Sequence, residues 1–126
     1  MTNGKILIVD DDFAFAQFAQ IILESLGYSV AVSLEGGAAQ AAAIREKPDL
    51  VLMDMRLNDM TGTQAIALLK ANPETKHIPI VLCSMTHSAQ EIKDARIHGA
   101  VDFLPKPLKS EQLSRVIRKA LGEASA

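Results

Sequence analysis

Short apolar runs alternate with longer amphipathic stretches along the chain, and this alternation occurs five times. Most runs are continuously apolar, as in "KILIV" and "IPIVLC", rather than alternately apolar and polar. Continuous runs are typical of parallel strands that are covered on both faces of a sheet. We therefore predict five buried strands, at Lys5 to Val9, Ser29 to Val32, Leu50 to Met53, Ile78 to Cys83 and Val101 to Leu104.

The stretches between these runs carry start and stop signals of helices. Gly27 and Pro48 end the first two stretches. A capping box pairs a serine or threonine with a glutamine or glutamate three residues later. Two such pairs predict the starts of the third and fourth helices, namely Thr61 with Gln64 and Ser88 with Glu91. Ser110 is the predicted cap of the fifth helix.

Five strand and helix units predict a single α/β domain. The expected architecture is a three-layer α/β/α sandwich, doubly wound as (βα)₅, with five parallel strands in the order 2-1-3-4-5 of flavodoxin-like folds. We expect this domain to span residues 1–126, with no output domain on this chain.

Composition excludes several classes of function. The net charge is −2 and the 13 basic residues are scattered, which argues against direct binding of nucleic acid. The single cysteine, Cys83, lies in an apolar run and is expected to be buried, so a disulfide framework is excluded. No apolar run resembles a signal peptide or a membrane span, so we expect a cytoplasmic protein without membrane contact. We interpret the three histidines as surface residues.

Carboxylates collect where predicted strands end. Asp10 and Asp11 follow the first strand, and Asp54 follows the third. In an open parallel sheet, ligands bind beyond the carboxyl ends of the strands, near the point where strand order reverses. Three converging carboxylates repel one another unless a cation compensates them, and Mg²⁺ prefers oxygen ligands of this kind.

Each of these residues also has a purely structural interpretation. Acids after a strand often begin a helix, where they interact favourably with its dipole. Ser84 ends the fourth strand, where its hydroxyl can bond the backbone, and Lys106 can be a solvated loop residue between two prolines. A metal-binding acid group, a hydroxyl and an ammonium at four strand ends together favour phosphoryl chemistry.

With these residues in place, the chain resembles the receiver, or phosphoacceptor, domains of two-component response regulators. The motifs that carry the resemblance run in order along nearly the whole chain: "KILIVDDD", "LVLMDMRLNDMTG", "PIVLCS" and "GAVDFLPKPL". The resemblance implies a signalling switch that accepts a phosphoryl group from the phosphohistidine of a sensor kinase or a phosphotransfer protein. It also implies no turnover beyond phosphoryl acceptance and slow autodephosphorylation.

The resemblance assigns roles around the acceptor residue by position. Asp54 matches the aspartate that accepts the phosphoryl group, and Lys106 matches the lysine that binds the phosphate. Asp11 matches the direct ligand of Mg²⁺ (or Mn²⁺), and Asp10 the acid that holds a metal-bound water. The backbone carbonyl of Arg56 matches a further metal ligand.

The resemblance also implies a switch, and one departure from the family pattern predicts a gate. Ser84 matches the switch hydroxyl and Phe103 the aromatic residue that turns on activation. Met85 stands where a small residue is usual, and we expect it to restrict access to the site as a lid.

Partner surfaces follow from the same resemblance. Phe13 and Ile21 on the first helix are expected near solvent, where a histidine kinase or phosphotransfer domain would dock. The fourth helix, fifth strand and fifth helix would form the output face for a downstream protein. The expected state is a monomer or a weak dimer that depends on phosphorylation.

Two alternatives remain open from the sequence. A haloacid-dehalogenase-like phosphatase also uses an aspartate nucleophile and magnesium, but that family usually has a second acid two residues later, where this chain has Arg56. A pseudo-receiver that serves only as an interaction module usually lacks the acid pair, the acceptor or the lysine, and this chain keeps them all.

Overall fold

The computed structural model describes residues 3–122, in which β-strands and α-helices alternate. The strands are β1 (Lys5–Val9), β2 (Ser29–Ser33), β3 (Leu50–Asp54), β4 (Ile80–Ser84) and β5 (Ala100–Pro105). The helices are α1 (Phe13–Ser25), α2 (Ala39–Glu46), α3 (Gly62–Ala71), α4 (Ala89–His98) and α5 (Ser110–Ala120), and a short 3₁₀ turn (Gly36–Ala38) precedes α2. The predicted domain bounds of 1–126 include end residues that lie outside the described ones.

The five strands form one parallel sheet in the order β2-β1-β3-β4-β5, which confirms the predicted fold. The predicted bounds were wrong by one or two residues at several ends. β4 begins at Ile80 rather than Ile78, because the Ile78 amide bonds Thr75 in a turn and Pro79 has no amide hydrogen to donate. β5 begins one residue earlier and ends one residue later than predicted.

Helices cover both faces of the sheet, and each face has its own apolar cluster. α1 and α5 pack on one face, where Ala16, Ala19 and Leu23 of α1 are fully buried. The other face is covered by α2, α3 and α4. Because both faces are buried, β1, β3 and β4 are almost continuously apolar, which explains why their runs were recognisable in the sequence.

Side-chain caps start three of the five helices, namely α1, α3 and α4. Both capping boxes are present, and Asp12 caps α1 by accepting a hydrogen bond from the Phe15 amide. The prediction for α5 was wrong, because Ser110 is its first residue and Lys109 is its N-cap, without a side-chain hydrogen bond. The carbonyl of Lys109 instead accepts the Leu113 amide and so opens the helix one residue earlier.

A register shift of one residue interrupts the pairing of β4 with β5. Ile80 pairs with Ala100, but the next residue, Val81, pairs with Asp102, so Val101 has no partner on β4. After the shift, Phe103 is opposite Leu82 and therefore lies on the α4 side of the sheet.

The burial predicted for Cys83 and the exposure predicted for the three histidines are both present. Cys83 is buried and its thiol is free, and burial raises its pKa far above the usual range. The side chains of His77, His87 and His98 are exposed. Between residues 3 and 122, no helix has both the length and the apolar character needed to cross a bilayer.

Candidate functional site

Three carboxylates meet at the carboxyl edge of the sheet. Asp54 is the last residue of β3, and Asp10 and Asp11 directly follow β1, the strand beside it. One carboxylate oxygen from each residue lies within 4.8 Å of the other two. The convergence predicted from the strand ends is therefore present.

Two of these acids are buried, and their proximity has an electrostatic cost. Asp10 is 1% exposed and Asp54 is 7% exposed. Burial raises the pKa of Asp54, and the charge of Asp10 raises it further. The Arg56 amide, which donates to Asp54 Oδ1 at 3.2 Å, and the charge of Lys106 partly offset this increase in pKa. The site thus holds more negative charge than its own hydrogen bonds compensate.

Lys106 provides part of the missing positive charge. Its ammonium Nζ lies 2.8 Å from Asp10 Oδ2 and 3.5 Å from Asp54 Oδ2, and its backbone amide donates to the Ser84 carbonyl. Burial lowers the pKa of Lys106, but the hydrogen bond to Asp10 and the attraction of both carboxylates outweigh that effect and raise it. Lys106 is therefore a fully charged group in the acid cluster.

The donor set fits a hard divalent cation. All three acidic side chains offer oxygen, and one of them, Asp11, remains partly accessible to solvent. Magnesium is usually bound by one or two carboxylates and keeps several waters, and the partly accessible Asp11 leaves one side of the cluster open to water. Soft ligands are absent from the cluster, since the nearby Cys83 thiol stays protonated.

The loop after Asp54 packs closely against α3. A Cβ at Gly62 would lie 2.6 Å from the Asp54 carbonyl oxygen and 2.8 Å from Met55 Cα. The Gly62 amide also donates to the Met55 carbonyl. Glycine is therefore required for the start of α3 to approach the end of β3, which fixes the backbone beside Asp54.

The two predicted switch residues lie on the side of the site next to the loop that joins β4 to α4. The Ser84 hydroxyl donates to the Thr86 carbonyl at 2.7 Å, within its own loop, rather than to a group of the acid cluster. Phe103 is half-buried, and its ring centroid lies 4.5 Å from that of His87. Both residues thus contact the loop that joins β4 to α4.

The remaining predicted residues lie at the surface. Met85 is 76% exposed, and Phe13 and Ile21 on α1 are 58% and 68% exposed. Phe18 on the same helix is also exposed, although its position in the sequence gave no reason to distinguish it. The exposure predicted for Phe13 and Ile21 is present, whereas their docking role and the lid role of Met85 stay predictions.

Two contacts of the site were not found from the sequence. The side chain of Arg56 bonds Glu91 of α4 at 2.7 Å and the Thr86 hydroxyl at 3.3 Å. The ammonium of Lys106 lies 3.9 Å from the centroid of the Phe15 ring. Neither pair has a sequence signal, because the partners are far apart in the chain and meet only through the fold.

Comparison with known proteins gives a consistent family. The family model described as response regulator receiver domain matches residues 6–118. The chain is 39% identical over 125 residues to the transcriptional regulatory protein ZraR of Salmonella typhimurium, covering 96% of this chain but 27% of that protein. It thus spans about a quarter of that relative's length. The chain is also 34% identical over 118 residues to protein PilH of Pseudomonas aeruginosa. That match covers 94% of this chain and 98% of PilH.

Solved structures support the same assignment. The receiver domain of the sensor histidine kinase PA1611 from Pseudomonas aeruginosa, described with a magnesium ion coordinated in its active site cleft, superposes with a TM-score of 0.86. That comparison covers 95% of this chain and 98% of the other at 28% identity. With the strand order, the acid cluster and the family match in agreement, the chain belongs to the receiver domains of two-component response regulators.

Proposed function

We propose that Asp54 accepts a phosphoryl group from the phosphohistidine of a sensor kinase or phosphotransfer protein. The observation that carries this proposal is the convergence of Asp10, Asp11 and Asp54 with the Lys106 ammonium at one strand edge. A carboxylate oxygen of Asp54 attacks phosphorus, the phosphorus to nitrogen bond breaks, and the electron pair stays with the departing imidazole.

Different residues of the site would bind the metal ion, attract the transferring oxygens and orient Asp54. The side chains of Asp10, Asp11 and Asp54 and the carbonyl of Arg56 would hold Mg²⁺ or Mn²⁺, which when bound neutralises charge on the transferring oxygens. Lys106 attracts the same oxygens from the β5 side, and the Arg56 amide orients Asp54. The packing of Gly62 keeps the acceptor backbone in place during the reaction.

The switch follows from the loop contacts of Ser84. A phosphoryl group on Asp54 offers new acceptor oxygens, and the Ser84 hydroxyl would leave the Thr86 carbonyl to donate to them. That movement would shift the loop that carries His87, whose ring contacts Phe103. The surface of α4, β5 and α5 then presents a different shape to a downstream protein.

Substitution of the acceptor tests this function. With magnesium and acetyl phosphate, the chain should gain one phosphoryl group by mass spectrometry, and Asp54→Asn should gain none. Asp12→Asn is the matched control, because Asp12 is a neighbouring acid whose capping role asparagine can keep. Undiminished labelling of Asp54→Asn would contradict the proposal.

The proposed docking surface for the phosphoryl donor is the exposed apolar face of α1. Replacing Phe13 and Ile21 together with lysine should slow phosphotransfer from a cognate kinase at least tenfold, while acetyl phosphate still labels the chain at the normal rate. A matched control replaces Ile44 and Leu68, which are exposed on the other face of the domain. Equal loss with both donors would mean that folding, not docking, was damaged.

Two features support a switch over the alternatives. The position two residues after Asp54 carries Arg56, whose guanidinium pairs with Glu91, so it offers no second acid for a phosphatase. The complete set of acids and lysine argues against a pseudo-receiver. We therefore propose a cytoplasmic switch protein, a monomer or weak dimer, with no turnover beyond acceptance and slow autodephosphorylation.

A further inference from the structure

Lys106 contacts an aromatic ring as well as two carboxylates. Its ammonium lies 3.9 Å from the centroid of the Phe15 ring, within the range of a cation–π contact. The Lys106 side chain is only 11% exposed, so water does not surround the charge. A contact of this kind is stronger where the cation is desolvated.

Both partners of this contact are held in place by the backbone. The Asp12 carboxylate accepts the Phe15 amide at 3.1 Å, so the cap of α1 fixes the residue that carries the ring. The ring packs at the edge of the apolar cluster beneath α1 and α5. On the other side, the Lys106 amide donates to the Ser84 carbonyl at 3.0 Å. The contact thus joins the first turns of α1 to the residue after β5 across the site.

A divalent cation in the acid cluster would compete with Lys106 for the same oxygens. Lys106 makes its shortest ionic contact with Asp10, which belongs to the cluster that fits the metal. A cation there weakens that ion pair and repels the ammonium. An uncharged ring does not compete for the metal, so it can retain the lysine when its carboxylate partner is taken.

We infer that Phe15 is a positioning residue, whose ring face holds the Lys106 ammonium in the site when a metal ion occupies Asp10. This inference rests on the proposed function for its purpose, which is to keep Lys106 within reach of the incoming phosphoryl group. The contact itself stands on the geometry described above.

Nuclear magnetic resonance of Lys106 tests the contact independently of phosphorylation. Protons above a ring face are shifted upfield, so the Lys106 Hε resonances should be upfield of those of exposed lysines such as Lys109. The shift should persist at saturating Mg²⁺ and should be absent in Phe15→Leu. Loss of the upfield shift on addition of Mg²⁺ would overturn the inference.

Fluorination of the ring separates its electrostatic role from its packing. Mono-, di- and trifluorophenylalanine at position 15 change the size of the ring little but progressively weaken its attraction for a cation. Labelling by acetyl phosphate at saturating Mg²⁺ should slow by about threefold across the series, with unchanged thermal unfolding. The same residues at Phe18, which is exposed on the same helix, should have no effect.

The outcomes distinguish this inference from the proposed function. A labelling rate on Asp54 that does not respond to fluorination at position 15 would overturn the inference and leave the function standing. An upfield shift that persists with Mg²⁺, in a chain that acetyl phosphate does not label, would support the contact and contradict the function.

Discussion

The two sides of the site differ in how firmly they are held. On the side of the acid cluster, Asp10, Asp54 and Lys106 are largely buried and joined by charged contacts of 2.8 and 3.5 Å. On the side of the loop that joins β4 to α4, the Ser84 hydroxyl bonds a residue of its own loop and Phe103 contacts an exposed histidine. Chemistry needs fixed distances, whereas a response needs groups that can exchange partners at low cost.

The helices beside the two sides show the same contrast. α3, beside the acid cluster, has four buried residues, and its Gly62 packs against the backbone of Asp54. α4, which follows the loop from β4, buries only Ala95 among its ten residues. A helix with so little buried apolar surface is held weakly, so a change in the loop before it can move it.

Replacing Lys106 should have the largest effect on the stability and chemistry of the firmly held side, the acid cluster. Lys106→Met leaves two buried carboxylates without their cation, so without metal the free energy of unfolding should fall by about 3 kcal/mol. Saturating Mg²⁺ should restore much of this loss, because it supplies the missing positive charge. Labelling by acetyl phosphate should slow about tenfold or more.

Urea unfolding with EDTA or Mg²⁺ measures this effect, with Lys109→Met, at an exposed lysine, as the control. Equal destabilisation with and without Mg²⁺ would mean that Lys106 contributes through packing rather than charge.

The raised pKa of Asp54 predicts how the stability of the acid cluster depends on pH. Its pKa is raised in the folded protein, so the folded state holds the proton more tightly than the unfolded chain, whose carboxyl has a pKa near 3.8. The charged carboxylate therefore lowers stability at neutral pH, and this cost disappears as pH falls through the raised pKa. Without metal, Asp54→Asn should therefore be more stable than the native chain at pH 7, and this difference should disappear as the pH falls to the ordinary carboxyl pKa near 3.8.

Unfolding titrations across this pH range decide the outcome. A constant difference between the two proteins at all pH values would show that the ionisation of Asp54 is not its source.

Much of the firm side was predictable from the sequence, because strand ends in a parallel sheet must meet at one edge. Asp10, Asp54 and Lys106 needed only the strand positions and order to be recognised. The contacts of Arg56 with Glu91 and of Lys106 with Phe15 depend on loop paths and side-chain rotamers between distant residues. The start of α5 was mispredicted because serine is a common N-cap residue, whereas the N-cap position is occupied by Lys109 and Ser110 is the first residue of the helix.

The bond between Arg56 and Glu91 connects the two sides, and breaking it should have a smaller effect. Both groups are substantially exposed, so Glu91→Gln should cost about 0.5 kcal/mol of stability. Amide hydrogen exchange at the start of α4 should nevertheless accelerate, since the capping box alone would then hold it. Arg45→Gln, which removes an exposed ion pair on α2, is the control. Unchanged exchange in α4 would show that this bond does not restrain the helix.

Met85 should have the smallest effect. Its side chain is 76% exposed, so it can cover the site only part of the time. We expect Met85→Ala to speed both labelling by acetyl phosphate and spontaneous dephosphorylation by about twofold, without changing magnesium affinity. Phosphorylation and decay time courses measure both rates. If neither rate changes, the exposed methionine is not a lid.

The unpaired Val101 determines on which face of the sheet Phe103 lies. Residues along a strand alternate between the two faces of a sheet, so a shift of one residue exchanges the faces. If β4 and β5 paired without this shift and kept all their residues, Phe103 would be opposite Cys83 rather than Leu82 and would lie against α1 and α5. Deletion of Val101 should therefore leave Phe103 opposite Leu82, because the residues after the shift keep their partners. One residue without a partner thus keeps this aromatic side chain in the layer of α4.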